Sequence, residues 1–201
     1  VVVQFDKDGV QYQRKYFISY PDSVMVMKFT ANQSGKQNLI LSYCPNSEAK
    51  SNLRADGKDG LVYTGVLDNN GMKFAFRIKA IHKGGTLEAE NDRLIVKGAD
   101  EVVFLLTADT DYKMNFNPDF KDPKTYVGND PEQTTRIMMD QAVQKGYDEL
   151  YRNHEADYTA LFNRVRLQLN PDISTPNLPT YQRLANYKKG TPDYQLEQLY
   201  Y

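Results

Sequence analysis

A general base, a nucleophile or a metal site needs several suitable side chains within reach of one another, and this sequence offers few. Its 201 residues include two histidines, His82 and His154, and one cysteine, Cys44. His82 stands at a strand end just before Gly84-Gly85, where a lone imidazole reads as a turn residue. His154 shares a helical face with Tyr158 and Phe162 and reads as a packed interface histidine. Cys44 has no basic cluster to activate it, no disulfide partner and no metal-ligand company. Asp109 and Asp111 flank Thr110. Paired carboxylates can divide acid and base work in glycoside hydrolysis. Positions i and i+2 of a strand or turn also share a side for no chemical reason, and no third residue supports this pair. A Gly-rich phosphate loop, His-Glu-x-x-His, Cys-x-x-Cys and Gly-x-Ser-x-Gly are all absent. The expectation is therefore no catalytic residue, no metal and no cofactor, with substrate-binding residues unassigned. The 15 tyrosines could stack on sugars, although core edges and interfaces are their commoner place. Asn32-Gln33-Ser34 is a glycosylation sequon, weak by itself.

The elements that would position these residues divide the chain in two. Residues 1–112 read as an antiparallel sandwich of short strands. Val1–Phe5 opens directly on β-branched residues, as a piece cut from something longer would, and Asp8-Gly9 signals a hairpin turn. Val24-Met25-Val26-Met27 is apolar at every position, which suits a strand covered on both faces. Asn38–Cys44, Leu61–Leu67, Leu94–Val96 and Val102–Leu106 are further strands, with Gly84-Gly85, Asn91-Asp92 and Gly98–Asp100 as turns. Met72, Phe74, Phe76, Ile78 and Ala80 alternate with Lys73, Ala75, Arg77 and Lys79. That period of two predicts one buried face and one wet face, with Arg77 and both lysines in water.

Residues 113–170 read as a helical linker with a short strand, and 171–201 as a proline-containing link and further helices. Asp130-Pro131 is a helix start, with Asp130 as N-cap and Gln133 available for a capping box. Met139, Ala142, Val143, Gly146, Tyr147 and Leu150 then follow at helical spacing. Val165, Leu167 and Leu169 alternate with polar residues and predict a strand. Thr180 can cap a helix ending near Gly190, and Thr191-Pro192 can start another that runs through Leu196 and Leu199 to Tyr201. That last helix has no C-cap and reads as truncated.

Composition excludes several classes of function. The chain carries 25 Lys+Arg against 26 Asp+Glu, which argues against a basic nucleic-acid binder. Residues 1–108 balance at +2 and residues 109–201 at −3, so neither part selects an electrostatic partner. No run of 18 apolar residues and no signal-peptide pattern is present.

Three stretches resemble glycoside hydrolase family 95, the α-L-fucosidases and their relatives. Tyr12 to Val24 is similar to the family's Tyr-x-Arg-Glu-x-Phe-x-Ser-x-Pro-Asp-x-Val run, with Lys15 where the family has Glu. Gly146-Tyr147-Asp148-Glu149-Leu150, His154, Asp157-Tyr158, Leu161-Phe162 and Arg164-Val165 resemble the segment between the β domain and the catalytic barrel. Leu178-Pro179-Thr180, Arg183-Leu184, Gly190, Asp193, Leu196 and Leu199-Tyr200 resemble the approach to the helical catalytic domain, with Tyr194 where the family has Pro. The resemblance implies part of an antiparallel β super-sandwich, a helical linker and the truncated start of an (α/α)6 barrel. It implies an inverting α-L-fucosidase whose acid and base lie downstream of Tyr201, so that this chain alone is inactive. The implied partners are the parent's own barrel and, through it, a fucosylated glycan. Self-association is open, no nucleic acid or membrane is expected, and the implied location is periplasmic or secreted. An independent carbohydrate-binding sandwich remains the alternative; it would need no helical linker.

Overall fold

The computed structural model describes residues 1–43, 49–90, 92–169 and 177–200. Cys44, Asn91, Tyr201 and the proline-rich stretch at 170–176 lie outside the described residues. The chain forms two compact units, Val1–Asp157 and Tyr158–Tyr201.

The first unit contains ten strands: β1 (Val2–Lys7), β2 (Val10–Ser19), β3 (Val24–Ala31), β4 (Gln37–Ser42), β5 (Ala49–Ala55), β6 (Gly60–Leu67), β7 (Lys73–Lys83), β8 (Thr86–Ala89), β9 (Arg93–Ala99) and β10 (Glu101–Thr110). Seven form one sheet in the order β1-β2-β3-β10-β7-β6-β5, and three form a second in the order β4-β9-β8. Every strand pairing is antiparallel. The Asp8-Gly9 turn between β1 and β2 has φ of 53° and 74°, the two left-handed residues that a tight hairpin matched to strand twist requires.

Around its central strands the large sheet is covered on both faces. On one, Leu61, Ile78, Ala80 and Phe104 pack with Leu94 and Val96 of the small sheet. On the other, Phe17, Val24, Val26, Val103 and Leu105 pack with Met139, Ala142 and Leu150 of helix α1 (Pro131–Phe162). Val102 through Leu105 are therefore buried without alternation, and β3 joins both cores through Val26 and Met27. The expected sandwich is present, with helical elements after it.

The second cover corrects the wet-face reading of β7. Ile78 and Ala80 are buried and Lys73 is exposed, as alternation predicts. Arg77 is not exposed: it retains 2% of its surface. Its register partners Val62 and Thr107 are buried as well, and the Thr107 hydroxyl donates to the Thr135 carbonyl of α1. The helix thus roofs the face that the period of two assigns to water. Arg77 pairs with Asp56, while its Nε and Nη2 have no hydrogen-bond partner.

Helix α1 begins as expected. Asp130 Oδ1 accepts from the Glu132 amide at 3.1 Å, a side-chain cap on an otherwise orphaned donor. Thr134, rather than Gln133, returns to the cap residue, its hydroxyl donating to the Asp130 carbonyl. The helical backbone breaks at Gly146, with φ 73° and ψ 170°. That region is reached without strain only by glycine.

The second unit departs from expectation in two places. Val165 and Leu167 are 82% and 41% exposed, and residues 165–168 form no strand. Alternation makes a strand only where another strand's edge accepts it. Helices α2 (Thr180–Lys188) and α3 (Tyr194–Tyr200) are present. Thr180 is the first residue of α2 rather than its cap, since Pro179 occupies that position. Asp193, not Thr191, caps α3, accepting from the Leu196 amide at 2.9 Å. The Arg183 guanidinium grips the same carboxylate with two bonds of 2.8 and 2.6 Å. That grip holds the Asp193 carboxyl down at about 2.

Candidate functional site

A polar and aromatic constellation lies where the β2–β3 turn meets α1. Strand alternation sends Phe17 and Ser19 to the helix side, both buried. Ser23, with φ 51°, bends the Tyr20–Ser23 turn, which presents Asp22 to the helix. The Asp22 side chain is 1% exposed. It accepts from the Ser19 hydroxyl at 2.5 Å, from Lys145 Nζ at 2.6 Å and from Asn153 Nδ2 at 3.1 and 3.3 Å. Burial alone would push its carboxyl up, but the bonds from Lys145, Ser19 and Asn153 outweigh it and hold the group below its ordinary value.

Phe17 fills an aromatic box beside this carboxylate. It stacks on His154 at 5.0 Å and meets Tyr147 and Tyr151 edge-on at 5.9 and 5.5 Å. Lys28 Nζ lies 4.2 Å from the centre of the Tyr147 ring and 2.8 Å from Glu101. Burial raises the Tyr147 phenol, and the nearby Tyr151, Asp148 and Glu101 add to the shift. The arrangement binds helix to sheet. Among the described residues, the groups bonded to Asp22 are a hydroxyl, an ammonium and an amide.

Two open depressions are the other candidates. One, of about 410 Å³, is lined by Lys50, Asn52, Thr64 and Lys73 of the sheet and by Asp130 and Glu132 at the start of α1. Both carboxylates are engaged: Asp130 caps the helix, and Glu132 pairs with Arg54 at 2.5 Å. The other, of about 420 Å³, is lined by Gln4, Phe5, Gln13, Thr30 and Asn32, with Asp6 as its single acid. Either could accept polar groups.

The residues considered from sequence are not brought together. Asp111 is buried and its carboxylate accepts from the Lys73 amide at 2.9 Å, while Asp109 accepts from the Thr110 amide. Both are backbone ties. His82 Nδ1 lies 2.7 Å from the Gly84 carbonyl, at the turn where it was expected. His154 packs on Phe17, as an interface histidine should. Asn32 is exposed, with its side-chain oxygen taken by the Gln11 amide. No group of three His, Cys, Asp or Glu that could hold a metal occurs among the described residues. Sequence reasoning did not single out Lys145 or Asn153. The only available signal was the Ser19-x-x-Asp22 spacing at a turn.

Comparison with known proteins fits this division between sheet and helix. Residues 1–115 match the family model described as glycosyl hydrolase family 65, N-terminal domain. The chain belongs to that family. Residues 146–201 match the glycosyl hydrolase family 95 catalytic domain, so the family 95 resemblance is borne out. Over 199 residues the chain is 26% identical to "Probable alpha-fucosidase A" of Aspergillus niger, covering 94% of this chain and 24% of that protein. It is 26% identical to "Alpha-L-fucosidase 2" of Arabidopsis thaliana over 214 residues, covering 92% of this chain and 25% of that one. This glycosyl hydrolase N-terminal domain thus spans about a quarter of the length of these curated relatives. A solved structure described as "Putative kojibiose phosphorylase from human microbiome" overlaps 80% of the chain and 23% of its own, at 7% identity and a TM-score of 0.49.

Proposed function

We propose that this chain is the β domain and linker of an inverting α-L-fucosidase-type glycoside hydrolase. It takes no part in bond cleavage; its sheet holds the first helical segment of the catalytic domain in place. One observation carries this reading. Tyr147, Tyr151, Asn153 and His154 lie in the stretch that matches the catalytic-domain family, and they are the residues that Phe17 and Asp22 grip from the sheet. In this reading the sandwich is residues 1–112 and the linker begins at 113. The acid and base belong to the catalytic domain, spaced to admit a water between them. The substrate is a fucosylated glycan met in the periplasm or outside the cell.

The test assays this chain and the longer protein that carries it on an aryl α-L-fucoside. The longer protein hydrolyses it and releases the inverted anomer first, as followed by NMR; the chain alone does not turn it over. Turnover by the repurified chain would overturn the non-catalytic role. Retention of configuration would overturn the mechanism, and inactivity of the longer protein on fucosides would overturn the substrate class.

A further inference from the structure

The segment between β10 and α1 is an ordered loop that holds large apolar side chains in water. Tyr112 and Val127 close its base with a β-bridge, and the Gly128 amide donates to the Asp111 carbonyl at 2.6 Å. Inside, Asn115 Nδ2 donates to the Thr125 carbonyl and hydroxyl at 3.1 and 3.2 Å, and the Asp119 amide donates to the same hydroxyl at 2.9 Å. The stacked rings of Tyr112 and Tyr126 lie across its neck. At its surface, Phe116 is 95% exposed, Phe120 85% and Met114 56%. Two phenylalanines held open to this degree present apolar area on the order of 300 Å². Single exposed apolar residues are ordinary; two phenylalanines and a methionine exposed between positions 114 and 120 of one hydrogen-bonded loop mark a contact surface.

We propose that Phe116 and Phe120 dock this loop into the catalytic domain of the same polypeptide; the idea rests on the function proposed above. Three observations select that occupant. The curated relatives are about four times the length matched by this chain, so most of a relative's surface is not represented here. The loop is fixed to the route into that domain: its base closes at Gly128, Asp130 caps α1, and α1 runs into the catalytic-domain match beginning at 146. The side chains are Phe and Met, which fill apolar protein pockets. Because the loop is already ordered by its own hydrogen bonds, docking costs little conformational entropy.

Hydroxyl-radical footprinting read by mass spectrometry tests this on the present chain and on the longer protein. Phe116 and Phe120 should be labelled about tenfold less in the longer protein, since a docked aromatic leaves solvent. Equal labelling overturns the proposal. Protection in the short chain that grows with its concentration overturns it in favour of a second copy. Protection of the short chain by added fucosylated oligosaccharide overturns it in favour of a glycan. A second measurement uses the double substitution Phe116→Ser/Phe120→Ser, which should lower the Tm of the longer protein and leave that of the short chain unchanged. An unchanged Tm in the longer protein overturns the proposal. Fucoside turnover is scored separately. An active longer protein with both phenylalanines labelled sinks the docking and spares the function. An inactive one with both protected does the reverse.

Discussion

Replacing Asp22 with alanine should destabilise the first unit by about 2–4 kcal/mol. The figure follows from what the carboxylate leaves behind. Ser19 is fully buried and loses a 2.5 Å acceptor. The half-buried Asn153 amide loses two bonds. An unsatisfied buried polar group costs about 1–3 kcal/mol, and two are created. Lys145 contributes least, because its side chain is 36% exposed and regains water when released. Asp22→Asn keeps the size and most of the hydrogen bonding but loses the charge, and should cost about 1–2 kcal/mol. The pH dependence has a definite sign. The Asp22 carboxyl is held below its ordinary value in the folded state. Its contribution is therefore present above the unfolded value of about 3.9 and is lost as pH falls through the lower folded value. The gap between wild type and Asp22→Asn should stay constant from neutrality to about pH 5 and close in stronger acid. Urea unfolding serves as the assay, followed by tyrosine signals because the chain has 15 Tyr and no Trp. A loss under about 0.5 kcal/mol for Asp22→Ala would refute the reasoning, since two buried groups would then have found other partners.

Gly146→Ala should cost about 1–3 kcal/mol in the same urea assay. An added Cβ meets nothing within 4 Å, so the cost is backbone strain at φ 73° and not a clash, and a neutral result would mean that the helix can straighten there. Arg77→Met should be neutral or stabilising by up to roughly 2 kcal/mol, because it removes a buried charge and leaves Asp56 free to meet water. The prediction uses two features of the pair: Nε and Nη2 of Arg77 lack partners, and the Asp56 side chain is 40% exposed. A loss above about 1 kcal/mol would show that Arg77 contributes more than this geometry does. The Asp193 carboxyl, lowered to about 2, should titrate near that value by NMR, so the α3 cap persists in mild acid and is lost only as pH falls through it. Titration near 4 would mean that Arg183 does not hold it in solution.

Strand existence was legible in the sequence, because short apolar runs between Gly and Asn/Asp turns have few other solutions. What alternation could not supply was the number of covered faces. Arg77 looked solvated because Lys73 and Lys79 share its face. The unbroken run Val24–Met27 pointed the other way, since a strand apolar at every position needs cover on both sides. Along one strand the face can be roofed at the centre and wet at the end, as buried Arg77 and exposed Lys73 show. The strand expected at 165–169 failed for a related reason: a period of two describes a side-chain pattern, and the pairing edge has to come from elsewhere.

The grip between sheet and helix was not legible, because it is assembled from residues more than a hundred positions apart. Asp22 meets Lys145 and Asn153 only once β3 pairs with β10 and α1 crosses the face they share. Lys145 precedes the break at Gly146 and Asn153 follows it, and a single carboxylate bonds both. Asp22 therefore spans the irregular point of α1 and fixes the direction in which the helix leaves it. On the far side, Phe17 holds Tyr147, Tyr151 and His154. A turn residue and a strand residue thus set the course of the helix as it enters the catalytic-domain match at 146. Under the function proposed above, this contact is the means by which the β domain places the helix that opens the catalytic-domain match.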